Sequence, residues 1–149
     1  QCRRHLELDS EQQYEYDFNN SLDVNFEPNG LYEECMLPSE YTYLAVIRVC
    51  SSTRLNSDKE DALSIAFDVY NRMIKDGITP SAMTYRYLMM CCANLVPSRS
   101  NEKRTQLSQT VFDAARKHGH EADPKVLFQL KRCNYNLFAS YHNGILPAH

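Results

Sequence analysis

Tryptophan is absent from the 149 residues, and glycine and proline are scarce, at 4 and 6. No run of about 18 apolar residues occurs, which leaves no candidate for a transmembrane helix. No Gly-rich phosphate loop is present, no Ser/His/Asp or Cys/His set has a meaningful spacing, and no carboxylate pair stands out from the acidic background. Cys-x-x-Cys is also missing: the six cysteines are Cys2, Cys35, Cys50, Cys91, Cys92 and Cys133. That spacing excludes a disulfide scaffold. Cys50, Cys91, Cys92 and Cys133 lie in apolar helical patterns, where a free thiol acts as a small buried hydrophobe, so a reducing compartment is expected. For the adjacent pair, one core cysteine and one partly exposed cysteine are expected. His118 and His120 flank Gly119 without further ligands at metal-binding spacing. They read as exposed histidines favoured by a helix C-terminus. The expectation is a non-enzymatic chain with no metal and no cofactor.

Against these absences stands a divided charge. Residues 1–40 hold ten acids against Arg3 and Arg4, whereas residues 41–149 hold nine acids against fourteen Lys and Arg. An acidic arm therefore precedes a mildly basic body, a division that suggests an interaction tail beside a partner-binding surface. The arm, residues 1–38, lacks a sustained helical or alternating period and clusters turn formers at Asn19, Asn20 and Ser21 and at Pro28, Asn29 and Gly30. It still carries Tyr14, Tyr16, Phe18, Phe26 and Tyr32, more aromatics than a purely disordered tail needs. Such an arm requires a surface, either its own body or another chain. The first residue is Gln1, as expected of a processed product or a fragment.

From residue 39 the sequence repeats. Tyr43, Val46, Ile47 and Cys50 recur as Tyr85, Leu88, Met89 and Cys92, each 42 positions on. The same offset pairs Pro38 with Pro80, Ser39 with Ser81, Val69 with Val111, Tyr70 with Phe112, Lys75 with Lys117 and Gly77 with Gly119. A third copy opens with Leu127 and Leu130, then fades. A period of this length marks stacked helical units. Tyr43, Val46, Ile47 and Cys50 fall at i, i+3, i+4 and i+7, one helical stripe, and Ala62, Ala66, Val69, Tyr70 and Met73 make a second. Gly77 suits a left-handed helix cap, Pro80 prevents continuation, and Ser81 is placed to cap the next helix. The predicted fold is all-α: a short α-solenoid of about two and a half helical hairpins behind an extended acidic arm. Its units are 39–80, 81–122 and a partial 123–136, with 137–149 as a C-terminal cap or tail and Asn143-Gly144 as a turn. Val96–Lys103 and Ser51–Lys59 are the polar linkers within units.

The strings TYLAVIRVC and TYRYLMMCC resemble the opening helix of a pentatricopeptide repeat. AFDVYNRMIKDGITPS and VFDAARKHGHEAD are similar to its second helix and closing turn. Met73, Gly77, Ile78 and Pro80 match that turn in the first unit. Gly119 and Asp123 match it in the second, where Ala122 replaces the proline. The resemblance covers about residues 40–135. It implies an organellar location, in chloroplast or mitochondrion, and binding of single-stranded RNA at one base per repeat. The implied reading pairs are Leu44 with Ser81 and Arg86 with Asp123, and Phe128 would open a third. Leu44 has no polar group for a base edge. Two complete units would supply only two bases at roughly 1–3 kcal/mol each. A basic surface of Arg48, Arg86, Arg99, Lys103, Arg104, Arg116, Lys117, Lys131 and Arg132 would have to add the rest by counterion release. The favoured expectation is therefore a docking or scaffold subunit whose partners are other proteins of a complex. An RNA-binding factor for organelle RNA processing or translation is the alternative.

Overall fold

A computed structural model describes residues 38–145, which belong to the unit Pro38–His149. The expected acidic arm, apart from Pro38, and the last four residues of the expected tail lie outside the described residues. Six helices and no strand occur among the described residues: α1 Glu40–Ser51, α2 Lys59–Lys75, α3 Ala82–Leu95, α4 Asn101–Lys117, α5 Pro124–Cys133 and α6 Tyr135–His142. The all-α expectation holds.

Local chemistry sets the helix ends. α2 opens with Glu60 and Asp61 and closes with Arg72 and Lys75, charges matched to the two poles of the helix dipole. After it the Gly77 amide bonds to Ile74 O and the Ile78 amide to Met73 O, at 3.0 and 3.1 Å. Those two bonds form a Schellman cap, and Gly77 supplies the positive φ it demands, +79°. α4 ends in the same way through Gly119, with the His120 amide reaching back to Ala115 O. α5 begins on Asp123, whose Oδ1 accepts from the Lys125 and Val126 amides, and Pro124 fills its first turn. Ser81 does stand at the N-cap position of α3, but its hydroxyl makes no cap bond. Its amide instead donates to Glu40 Oε1 at 3.1 Å, so the start of the second unit is tied to the start of the first.

The odd-numbered helices lie side by side, with α3 between α1 and α5. α2 packs against α1 and α3, α4 against α3 and α5, and α6 against α5. Two differences from the sequence expectation follow from this arrangement. Val46, placed in the buried stripe, is exposed, whereas its counterpart Leu88 is buried; among the described helices α3 has an odd-numbered neighbour on either side and α1 has one on one side only. Cys91 and Cys92 are both fully buried rather than one in and one out. A central helix buries opposite faces: the Cys91 thiol points at Ile47 O of α1, while Cys92 lies toward Cys133 of α5.

The third pair is compact. Asn134 alone joins α5 to α6, which runs through the expected boundary at 136 and 137. The buried Asn134 caps α6 by accepting from the Leu137 amide at 3.1 Å and donates its Nδ2 to the buried Ser108 Oγ of α4 at 3.1 Å. Gly144 then closes α6 with the same cap geometry as Gly77 and Gly119, on the expected Asn143-Gly144 turn.

Candidate binding surfaces

The 42-residue register fixes side-chain geometry as well as helix ends. The Tyr43 hydroxyl of α1 donates to Asp76 Oδ2, the residue that ends α2. One repeat later, the Tyr85 hydroxyl of α3 bonds to Nδ1 of His118, the residue that ends α4. The Asp76 carboxylate is held below the usual carboxylate range by the tyrosine hydroxyl, with Arg72 adding to the effect, and the same bond raises the Tyr43 phenol. Tyr85 is fully buried, and burial first, then its hydrogen bond to Tyr70 at 3.2 Å, raises its phenol. His118 and His120 are half-buried rather than exposed. Their rings lie 5.8 and 5.9 Å from the Tyr85 ring, and His120 Nε2 sits 3.2 Å from Pro80 O. They pack the joint between the first two units. No group of three or more potential metal ligands gathers among the described residues.

The residues put forward for base reading or partner contact do not gather at one place. Leu44 is buried on the side of α1 that carries Ile47, because three and seven residues beyond it the helix again faces the core. No base or partner reaches it from solvent. Ser81 is held through its backbone by Glu40, and Asp123 spends one carboxylate oxygen on two α5 amides. Arg86 is half-buried with its guanidinium 5.5 Å from the Tyr87 ring centre, and Arg48 approaches the same ring at 6.0 Å. Two arginines and one tyrosine thus form a small cation–π platform across α1 and α3. Phe128 is exposed on α5.

Nor do the basic candidates make one stripe. Arg104 is pinned by its Nη2 to Ala93 O and Val96 O, at 3.3 and 2.6 Å, satisfying carbonyls at the end of α3. Lys103 pairs with Glu60 at 3.8 Å on an exposed surface. Arg116, half-buried, and Lys117, exposed, occupy the last turn of α4. Lys131 lies 5.7 Å from the Phe138 ring centre, and Arg132 bridges Gln129 and Asn94. Asn94 passes the link on by donating to Ser51 O at 3.1 Å, so a polar chain runs from α5 through α3 to α1.

Beside that chain, the loops that follow α1 and α3 frame a cleft of about 630 Å³. Ser51, Ser52, Thr53 and Asn94 supply polar groups, Arg54, Lys59 and Arg104 supply positive charge, and none of the described residues that line it carries a carboxylate. A neighbouring hollow of about 510 Å³ shares Lys59 and Asn94 and adds Arg99, Lys103 and Glu60. Arg54 and Lys59 escaped the sequence reading. They fall in a linker, where spacing alone gives no hint that two loops from different units converge. The cleft fits an anionic group by charge and hydrogen bonding. The buried cysteines do not suit nucleophilic chemistry: burial pushes the Cys91 thiol up to about 12 and the Cys133 thiol up to about 11, and raises Cys50 and Cys92 as well.

No helix of the described residues is long and apolar enough to cross a membrane. No family model, no curated protein and no solved structure matches the chain.

Proposed function

We propose that this chain is a non-enzymatic binding module, a pentatricopeptide-like α-solenoid that serves as a docking subunit of a larger protein assembly. The repeated tyrosine-to-helix-end bonds and the repeated glycine caps support the solenoid reading. One observation carries the docking reading. Thr84, Leu88 and Cys91 of α3 are buried, and so are their counterparts Val126, Leu130 and Cys133 of α5, yet Thr42, Val46 and Val49 of α1 are exposed. With Ala45 these form an uncharged helix face that the other units cover with a neighbouring helix. An organellar location rests on the family resemblance alone.

A photo-crosslinking side chain at position 49, in the cell of origin, tests the docking reading. Asn71, exposed and polar on α2, is the control position. Discrete protein adducts at 49 and none at 71 are expected; equal labelling at both overturns it.

The cleft of Arg54, Lys59 and Arg104 favours a second reading, single-stranded RNA held mainly by its phosphates. Titration of labelled single-stranded RNA at low and moderate salt separates the two. Under the docking reading no binding occurs at micromolar protein. Micromolar or tighter binding, weakened by Arg54→Ala or Arg86→Ala, makes RNA the ligand instead.

A further inference from the structure

Among the described residues, the first and last helices of the array differ in a regular way. Position by position, α1, α3 and α5 present one face toward the preceding unit and another toward the following one. The backward face is Thr42, Val46 and Val49 in α1, Thr84, Leu88 and Cys91 in α3, and Val126, Leu130 and Cys133 in α5. Val46 and Val49 are 39% and 71% exposed, whereas their equivalents in α3 are 1% and 0% and in α5 0% and 5%. The forward face is Leu44, Ile47 and Ser51 in α1 and, at the equivalent positions, Phe128 and Lys131 in α5 and Tyr135 at the start of α6. Here the order reverses: Leu44, Ile47 and Ser51 are 7%, 0% and 1% exposed, while Phe128 and Tyr135 are 61% and 62%. Burial thus fails at one face of the first unit and at the opposite face of the last, the positions at which a further unit would continue the stack.

We infer that a second copy of this chain docks head to tail, the forward face of α5 in one copy packing on the backward face of α1 in the next. The inference rests on the docking reading of the α1 face and names its occupant. Two observations favour a second copy. The contact continues an interface the molecule already makes twice, α1 with α3 and α3 with α5. The faces also match in size: the large rings of Phe128 and Tyr135 meet the small side chains of Thr42, Ala45, Val46 and Val49. Lys131, exposed between Phe128 and Tyr135, holds its ammonium 5.7 Å from the Phe138 ring centre and so on the α6 side of this face. Because the two patches differ, the interface is heterologous, and repetition builds an open chain unless the rotation closes. One helix face per partner falls below the roughly 800 Å² per partner of a standard interface, so the association is weak.

Sedimentation velocity of the full chain over a wide concentration range tests this. The wild type is expected to grow in mass with concentration. Val49→Asp and Phe128→Asp each leave one end intact, so each alone is expected to stay monomeric. Mixed, they are expected to form a one-to-one dimer and nothing larger. A monomeric wild type at every concentration overturns the inference. So does association retained in Phe128→Asp but lost in Val49→Asp, since α1 would then pair with α1. Both side chains are exposed, and thermal melts monitored by circular dichroism check that both variants fold. Should either fail to fold, Thr42→Lys and Tyr135→Lys repeat the cross with exposed residues of the same two faces. Discrete crosslinks from position 49 to another protein, with no self-association, would end the head-to-tail inference and leave the docking reading standing.

Discussion

The bond between Tyr43 and Asp76 couples a single pair of residues to pH. Asp76 has a folded-state pKa below its ordinary value, so its stabilisation is complete above the unfolded carboxylate pKa and is lost as pH falls through the folded value. In urea unfolding, the midpoint is expected to drop as pH falls below about 4, the ordinary aspartate value. Asp76→Asn is expected to flatten that drop, since the amide oxygen still accepts from the tyrosine hydroxyl without titrating. An unchanged slope in the variant shows that other carboxylates govern acid stability. The second tyrosine makes a different prediction. Tyr85→Phe removes the hydroxyl shared by Tyr70 and His118 while keeping the ring. The loss is expected to be about 1–3 kcal/mol, the cost of leaving buried polar partners unmatched, read from the urea midpoint.

At the scale of the element, the glycine caps separate backbone strain from packing. A methyl group on Gly77 or Gly119 would meet nothing within 4 Å, so only the positive φ opposes it. Gly77→Ala and Gly119→Ala are therefore each expected to cost about 1–2 kcal/mol, the penalty for a left-handed alanine. A larger loss points to contacts not made by the glycine itself. Asn134 is the more demanding joint, because one side chain both caps α6 and bonds α4. Asn134→Ala is expected to cost about 1–3 kcal/mol in urea unfolding. Amide exchange is expected to rise first in α6, which packs on α5 alone among the major helix contacts. These joints were unevenly legible in the chain. Gly77 and Pro80 announce a helix end because no other residues do their work there. Asn134 announces nothing, since the same residue in a loop would look identical.

Across the whole molecule, four thiols report whether the stack opens as one body. Cys50, Cys91, Cys92 and Cys133 are all buried and all raised by burial, so at neutral pH they stay protonated and out of reach. Iodoacetamide at neutral pH is expected to leave these four unmodified, by peptide mass spectrometry, until urea unfolds the chain. Together they sample α1, α3 and α5. Early labelling of Cys133 alone would show that the last unit opens independently, as near-neighbour stacks permit.

The sequence by itself determined that the body from residue 39 on is helical and that its plan recurs after 42 residues, because helical periodicity and glycine caps are local properties of the backbone. It also placed the second-helix stripe correctly at Ala62, Ala66 and Met73. Only the tertiary structure decided which equivalent positions are covered. Leu44 is core and Phe128 is surface, Val46 is surface and Leu88 is core, although each pair shares a place in the repeat. The cleft of Arg54, Lys59 and Arg104 likewise needed two loops brought together across units. The physical reason is the same throughout. A repeat fixes what each face of a helix can contact, but burial depends on whether a neighbour is there, and among the described residues the first and last units each have only one.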